Sequence, residues 1–287
     1  MERTTYQEIL KALQEIDGWL CGQGFTKLDR IRQNQRNLGV LVEALENHTL
    51  DLFQTEANAE RRRELMWSLA DSMEFTDSIN NLRAQGCEIP HEVLKRALDG
   101  PVDMGLENQN SSHARNAMFE IAIAGRLAKR GLKPQLGGEP DVVAQLNDRN
   151  LLIPCKRVYS ENGLDGNISV AGSKLKRNLI RSSDPRDCGI VAISITRIYN
   201  QGDKLLAVKN EAALRQKLSE DVDAVRNRCM RRYKDLGHPR IAGVLYHVAT
   251  PAYLEDLGLY MAAHSVTIHP IPDKSDSALL KALEGYI

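Results

Sequence analysis

Two carboxylates and a lysine follow one another in the second half of the chain in an order that suits phosphate chemistry: Glu120, Asp141 and Lys156. Glu120 shares the face of an expected helix with Ile123, Ala124 and Leu127, a face that should pack against other structure. A carboxylate there is costly unless a charge or a metal compensates it. Asp141 follows Gly137-Gly138-Glu139-Pro140, a loop that delivers the acid to the mouth of a strand. Lys156 ends an otherwise apolar strand, where an ammonium also needs an anionic partner. Together the acids could hold a hard cation, Mg²⁺ or Mn²⁺, through oxygen ligands. The cation and the lysine would stabilise the charge that develops when water attacks a phosphodiester. An ordinary Asp141–Lys156 ion pair, with Glu120 snorkelling to solvent, would use the same residues without chemistry.

The elements that must position these residues are legible as periodic segments. Apolar residues at 9, 10, 13, 16, 19 and 20 predict a first helix, and Ile31, Leu38, Leu41, Val42 and Leu45 a second over about 28–45. A third helix is expected over about 57–84, and a short one from His91 to Leu98 behind Pro90. Residues 99–112 are rich in Gly, Asn and Ser and predict a boundary between an all-helical region, 1–100, and a second domain, 113–287. The second region reads as a helix from about 114 to 130 closed by Gly131, then strands at 141–146 and 150–156. A helix at about 166–182, a buried strand at 189–195 and a long helix at about 208–233 follow, and strands at 241–248 and 265–269 end the pattern. This order predicts an α/β (α+β) fold with a mixed central sheet, preceded by the helical domain.

The whole chain is neutral, with 38 basic and 38 acidic side chains over 287 residues, but the halves differ. Residues 1–100 carry 12 Lys and Arg against 17 Asp and Glu, whereas residues 113–287 carry 26 against 19. A polyanion would therefore meet the second region. No stretch approaches the roughly 18 apolar residues of a membrane helix, and the polar start predicts no secretory signal. Five scattered cysteines, with no C-x-x-C pair, argue against a disulfide framework and a structural zinc site, so a cytoplasmic, reduced setting is expected.

The stretch from Asn116 to Ser160 resembles the PD-(D/E)XK nuclease superfamily, the restriction-endonuclease-like fold. The residues that carry the resemblance are Glu120 on the helix, Pro140-Asp141 after the glycines, and Cys155-Lys156-Arg157 at the end of a strand. The resemblance covers about residues 113–200, and residues 1–100 lie outside it. It implies a Mg²⁺-dependent endonuclease acting on DNA, with RNA not excluded, in a setting such as bacterial restriction or phage defence. It assigns catalysis to Glu120, Asp141 and Lys156. One departure matters: the acid expected before Cys155 is Pro154, which offers no side-chain ligand. Glu120 and Asp141 with the Cys155 carbonyl could complete a metal site, or Glu139 could serve, or the domain is degenerate and binds nucleic acid without cutting it. A nuclease that cuts two strands would suit a homodimer.

Basic residues next to this motif are candidates for phosphate contact: Arg157, and Lys174, Lys176, Arg177 and Arg181 on the following helix, where Lys174 stands at a position that several relatives give to glutamine. A second cluster, Arg226, Arg228, Arg231, Arg232 and Lys234, ends the long helix. The run Arg61-Arg62-Arg63 reads as a solvated helix face balanced by Glu56, Glu60, Glu64 and Asp71. Cys155 reads as a small buried residue rather than a nucleophile. His264 and His269 lack the acid or thiol spacing of a zinc set, and His238 and His247 read as surface and core histidines. The chain has no G-x-x-x-x-G-K-[ST] motif and so no P-loop motor of its own.

Overall fold

A computed structural model describes residues 5–100, 113–200, 205–229, 233 and 236–271. Of the boundary expected at 99–112, residues 101–112 lie outside the described residues, as do Arg231, Arg232 and Lys234 of the second basic cluster. Four helices open the chain: α1 (Tyr6–Gly22), α2 (Asp29–Glu46), α3 (Ala59–Ala84) and α4 (His91–Leu98), with two short 3₁₀ turns between α2 and α3. Thr5 caps α1 through a reciprocal box with Glu8, which satisfies donors the first turn leaves unpaired. Helix α5 (His113–Lys129) then precedes the sheet, as expected.

The sheet is mixed and has eight strands in the order β1-β2-β3-β5-β7-β6, with β4 also beside β5 and β8 beside β7. Strands β1 (Pro134–Leu136), β2 (Val142–Leu146) and β3 (Arg149–Ile153) form an antiparallel meander. β4 (Cys155–Arg157), β5 (Cys188–Ser194), β6 (Leu206–Val208) and β7 (Ile241–Leu254) contribute the parallel pairs, and β8 (Leu259–Pro270) returns antiparallel along β7. Helices α6 (Glu161–Arg181), α7 (Thr196–Tyr199) and α8 (Glu211–Cys229) complete the set. The helix expected over about 208–233 is α8, which starts at Glu211 just after the short strand β6 and is described as far as Cys229.

Alternation along the strands separates two apolar layers. Leu151, Ile153 and Cys155 face the layer built by α1–α5, whereas Leu152 and Val158 face the layer under α6 and α8. The opening helices share the first layer with the sheet: Leu13, Leu65, Ile79, Ile121 and Val142 belong to one continuous core. Polar ties reinforce this packing. Asp71 on α3 is buried and accepts from Arg30 of α2, at 3.0 Å from Nε, and from Arg115 of α5. The Tyr6 hydroxyl donates to the Tyr260 carbonyl at 2.5 Å, linking α1 to β8. Asp71 thus turns inward, and the Arg61–Arg63 run is balanced by Glu64, 2.8 Å from Arg61, and Glu60, 3.9 Å from Arg63. Gly125 marks the closest approach of α5 to α3, since a Cβ there would lie 2.5 Å from the Ser78 Cα.

Candidate active site

β3 and β4 are one strand interrupted at Pro154. Both halves keep the same register with β5, Leu152 opposite Gly189 and Cys155 opposite Ala192. The Pro154 carbonyl accepts from the Ala192 N–H at 2.9 Å, so this residue faces β5. What proline removes is the N–H on that same side, the donor that would have continued the ladder to β5, while on the other side β2 pairs no further than Val142 with Ile153. Beyond that pair the Asp141 carboxylate takes over and accepts from the Cys155 N–H at 2.7 Å. By the same alternation the Cys155 carbonyl points to this edge rather than into the β5 ladder.

Around Asp141 the structure gathers most of the expected residues. Lys174 of α6 places its ammonium 3.5 Å from Asp141 Oδ1 and 3.6 Å from Glu139 Oε1. Lys156 lies on the same strand face as Leu152, the face that α6 covers. Glu120 enters from α5 and is 8% exposed; its Oε2 lies 3.4 Å from Arg96 of α4. Burial pushes its pKa up from 4.5 to about 7, and the neighbouring Asp141 charge pushes the same way against Arg96, Lys156 and Lys174. The expected trio Glu120, Asp141 and Lys156 is thus close enough to interact electrostatically, with Lys174 as a fourth member. The Cys155 thiol is held well above its usual range by burial and by the two acids, which keeps it protonated and unsuited to attack.

Other expected contacts are not brought here. Arg157 follows Lys156 by one residue and so faces the opposite side of the strand, where it is 8% exposed, with its guanidinium 5.6 Å from the Tyr159 ring centre. Lys176 and Arg177 are both exposed, but Lys176 lies on the side of α6 that faces His238, whose pKa its charge helps to lower after burial and Arg240. Arg177 and Arg181 lie one and two turns beyond Lys174 on the same face of the helix.

The donor set suits a hard cation in kind: two carboxylates and a backbone carbonyl, all oxygen. It lacks the third acid, because Pro154 supplies none, and Glu139, 68% exposed, is the nearest replacement. One grouping escaped the sequence reading altogether. Glu74, His247 and His264 lie with their ligating atoms within 4.8 Å of one another. They stand on α3, β7 and β8, and no local spacing connects them. Compared with known proteins, the chain matches no family model, no curated protein and no solved structure. No described helix is long and apolar enough to cross a membrane.

Proposed function

We propose that the chain is a nuclease-like protein with a restriction-endonuclease-like core, acting on DNA phosphodiesters at the Glu120–Asp141–Lys156 site. The observation that carries this reading is Glu120, a carboxylate buried beside a second acid, its pKa raised to about 7. Support also comes from the chain order of α5, the β2–β3 hairpin, a strand ending in lysine, α6 and β5. Asp141, Glu120 and the Cys155 carbonyl would hold Mg²⁺ or Mn²⁺, which would supply Lewis acidity toward a phosphate oxygen. The chain's own groups divide the rest of the work. Lys156 places a positive charge where a phosphodiester oxygen gains negative charge. Arg177 and Arg181 extend the positive surface along which a backbone would run.

A second reading has a specific observation behind it. Pro154 removes an acid, and the Lys174 ammonium sits between Asp141 and Glu139 in the place a cation would take. In that case the domain holds phosphate without cutting it. The two readings separate in a cleavage assay on plasmid and linear DNA with Mg²⁺, Mn²⁺ or EDTA, run beside Asp141→Ala and Lys156→Ala. Metal-dependent nicking lost in both variants supports the nuclease. Salt-sensitive DNA retention with no cleavage by any form supports the binder, and neither cleavage nor retention at low salt rejects both.

A further inference from the structure

Glu74, His247 and His264 meet at the junction of α3 with the β7–β8 hairpin, on the opposite side of the sheet from Lys156 and α6. His247 pairs with Val266 in the antiparallel ladder and His264 with Ala249, so the two histidines are diagonal neighbours on one sheet face. Their rings lie 6.4 Å apart, and α3 lowers Glu74 onto them. Glu74 Oε1 is 2.7 Å from His247 Nε2 and 3.4 Å from His264 Nδ1. All three atoms are shut off from solvent. The two imidazole nitrogens approach a single carboxylate oxygen, His247 at ion-pair distance, so three ligating atoms gather about one point.

We propose that this cluster is a binding site for a divalent transition-metal ion of the Zn²⁺ class, held by Glu74 Oε1, His247 Nε2 and His264 Nδ1. Two imidazoles and a carboxylate select such an ion over Mg²⁺, which prefers oxygen alone. Metal–ligand bonds of about 2.0–2.1 Å put tetrahedral ligand atoms about 3.3 Å apart. The Glu74–His264 separation already meets this, and the Glu74–His247 contact must open by about 0.6 Å. The far nitrogen of His247 is oriented as metal-bound histidines are: Nδ1 lies 3.3 Å from the Ser194 hydroxyl, which in turn donates toward Thr196. Arg126 is the cation beside the cluster, and the charges of Glu74 and Asp77 both act on it. Glu74 and His264 also line a cavity of about 490 Å³, so a fourth position would be open to water or a small ligand.

The test is a titration of the chelator-stripped full chain with Co²⁺ and then Zn²⁺. The expected result is one Co²⁺ per chain with a visible ligand-field band that survives desalting and is displaced by Zn²⁺. Proton NMR of the Co²⁺ form should show two hyperfine-shifted imidazole N–H signals, which decides the matter even if a variant fails to fold. His264→Ala should weaken binding by more than the roughly 10–100-fold that loss of an outer-shell partner costs. His269→Ala and Asp141→Ala should bind as the parent does; their retention separates this site from the proposed phosphodiester site. A Co²⁺ spectrum of the aqueous ion, or equal binding by the parent and His264→Ala, overturns the proposal.

Discussion

Glu120→Gln should make the protein more stable, and only above the acid range. The carboxyl titrates at about 7 in the folded chain against an ordinary 4.5. Its folded pKa is raised, so its contribution to stability is fully present below about 4.5 and is lost as pH rises to about 7. The gap corresponds to about 3 kcal/mol at most. Glutamine keeps the shape and never ionises, and the Arg96 attraction is already counted in that gap, because it is one of the charges that set the folded pKa. The gain expected at pH 8.5 is then about 3 kcal/mol, or roughly a 6 °C rise in melting temperature for a chain of this size. Thermal unfolding followed by circular dichroism in EDTA, for parent and variant from pH 4 to pH 8.5, measures it. The quantity to read is the difference between the two proteins at each pH, which cancels every other titrating group. Mg²⁺ should narrow the difference at pH 8.5 by stabilising the parent alone. A difference that does not change with pH, or a variant less stable at pH 8.5 than at pH 4 relative to the parent, would refute the reasoning.

Three further outcomes follow from the packing and the surface. Asp71→Asn leaves the buried Arg30 and Arg115 without a counter-charge and should cost about 3–5 kcal/mol, read as a shift in the urea midpoint. Burial opposes ionisation of Asp71 but the two arginines outweigh it and lower its pKa, so the stability this network supplies is present above about pH 4 and lost as pH falls below it. Gly125→Ala sets a methyl against the Ser78 backbone at the α3–α5 crossing and should cost about 1–3 kcal/mol in a thermal melt, unlike Gly18→Ala, which meets nothing within 4 Å. If α6 follows a phosphate backbone, Arg177→Ala with Arg181→Ala should lower the slope of log K against log salt by about 2 in fluorescence anisotropy with duplex DNA, and an unchanged slope excludes that face.

The opening helices were legible because each has one polar and one apolar face: α1, α2 and α4 fall within two residues of their expected bounds. α3 is the exception in kind. Residues 65–72 are buried without interruption, because α2, α5 and the β7–β8 hairpin enclose the helix. β7 was underestimated for a different reason. The sequence pattern stops it at Val248, before Thr250-Pro251, whereas the strand runs on to Leu254. Pro251 is tolerated because β5 ends its pairing at His247 and β6 begins at Ala252, so the missing N–H falls in a gap between two neighbours. Arg157 could have been placed correctly from alternation alone, since a strand that turns Lys156 to one layer turns Arg157 to the other. Glu74, His247 and His264 could not: a helix and two strands far apart in the chain bring them together, and sequence spacing carries no trace of that.

The charges around Asp141 explain why the site can be read in two ways and what would decide between them. A site for a hard cation gathers acids; here Pro154 offers no side-chain ligand, and a lysine approaches Asp141. Both features leave less to attract a divalent ion. The Asp141 carboxylate also serves the backbone, because its Oδ2 satisfies the Cys155 N–H where β2 no longer pairs, and that role would hold Asp141 in place without any chemistry. Glu120 is the residue that this structural account leaves unexplained. Its carboxylate is buried against a like charge, and Arg96, 47% exposed, is a weak compensation. A fold that needed only a capped strand end would be more stable with glutamine at that position. A buried acid with a raised pKa beside a second acid is what a group serving cation binding or proton transfer would show.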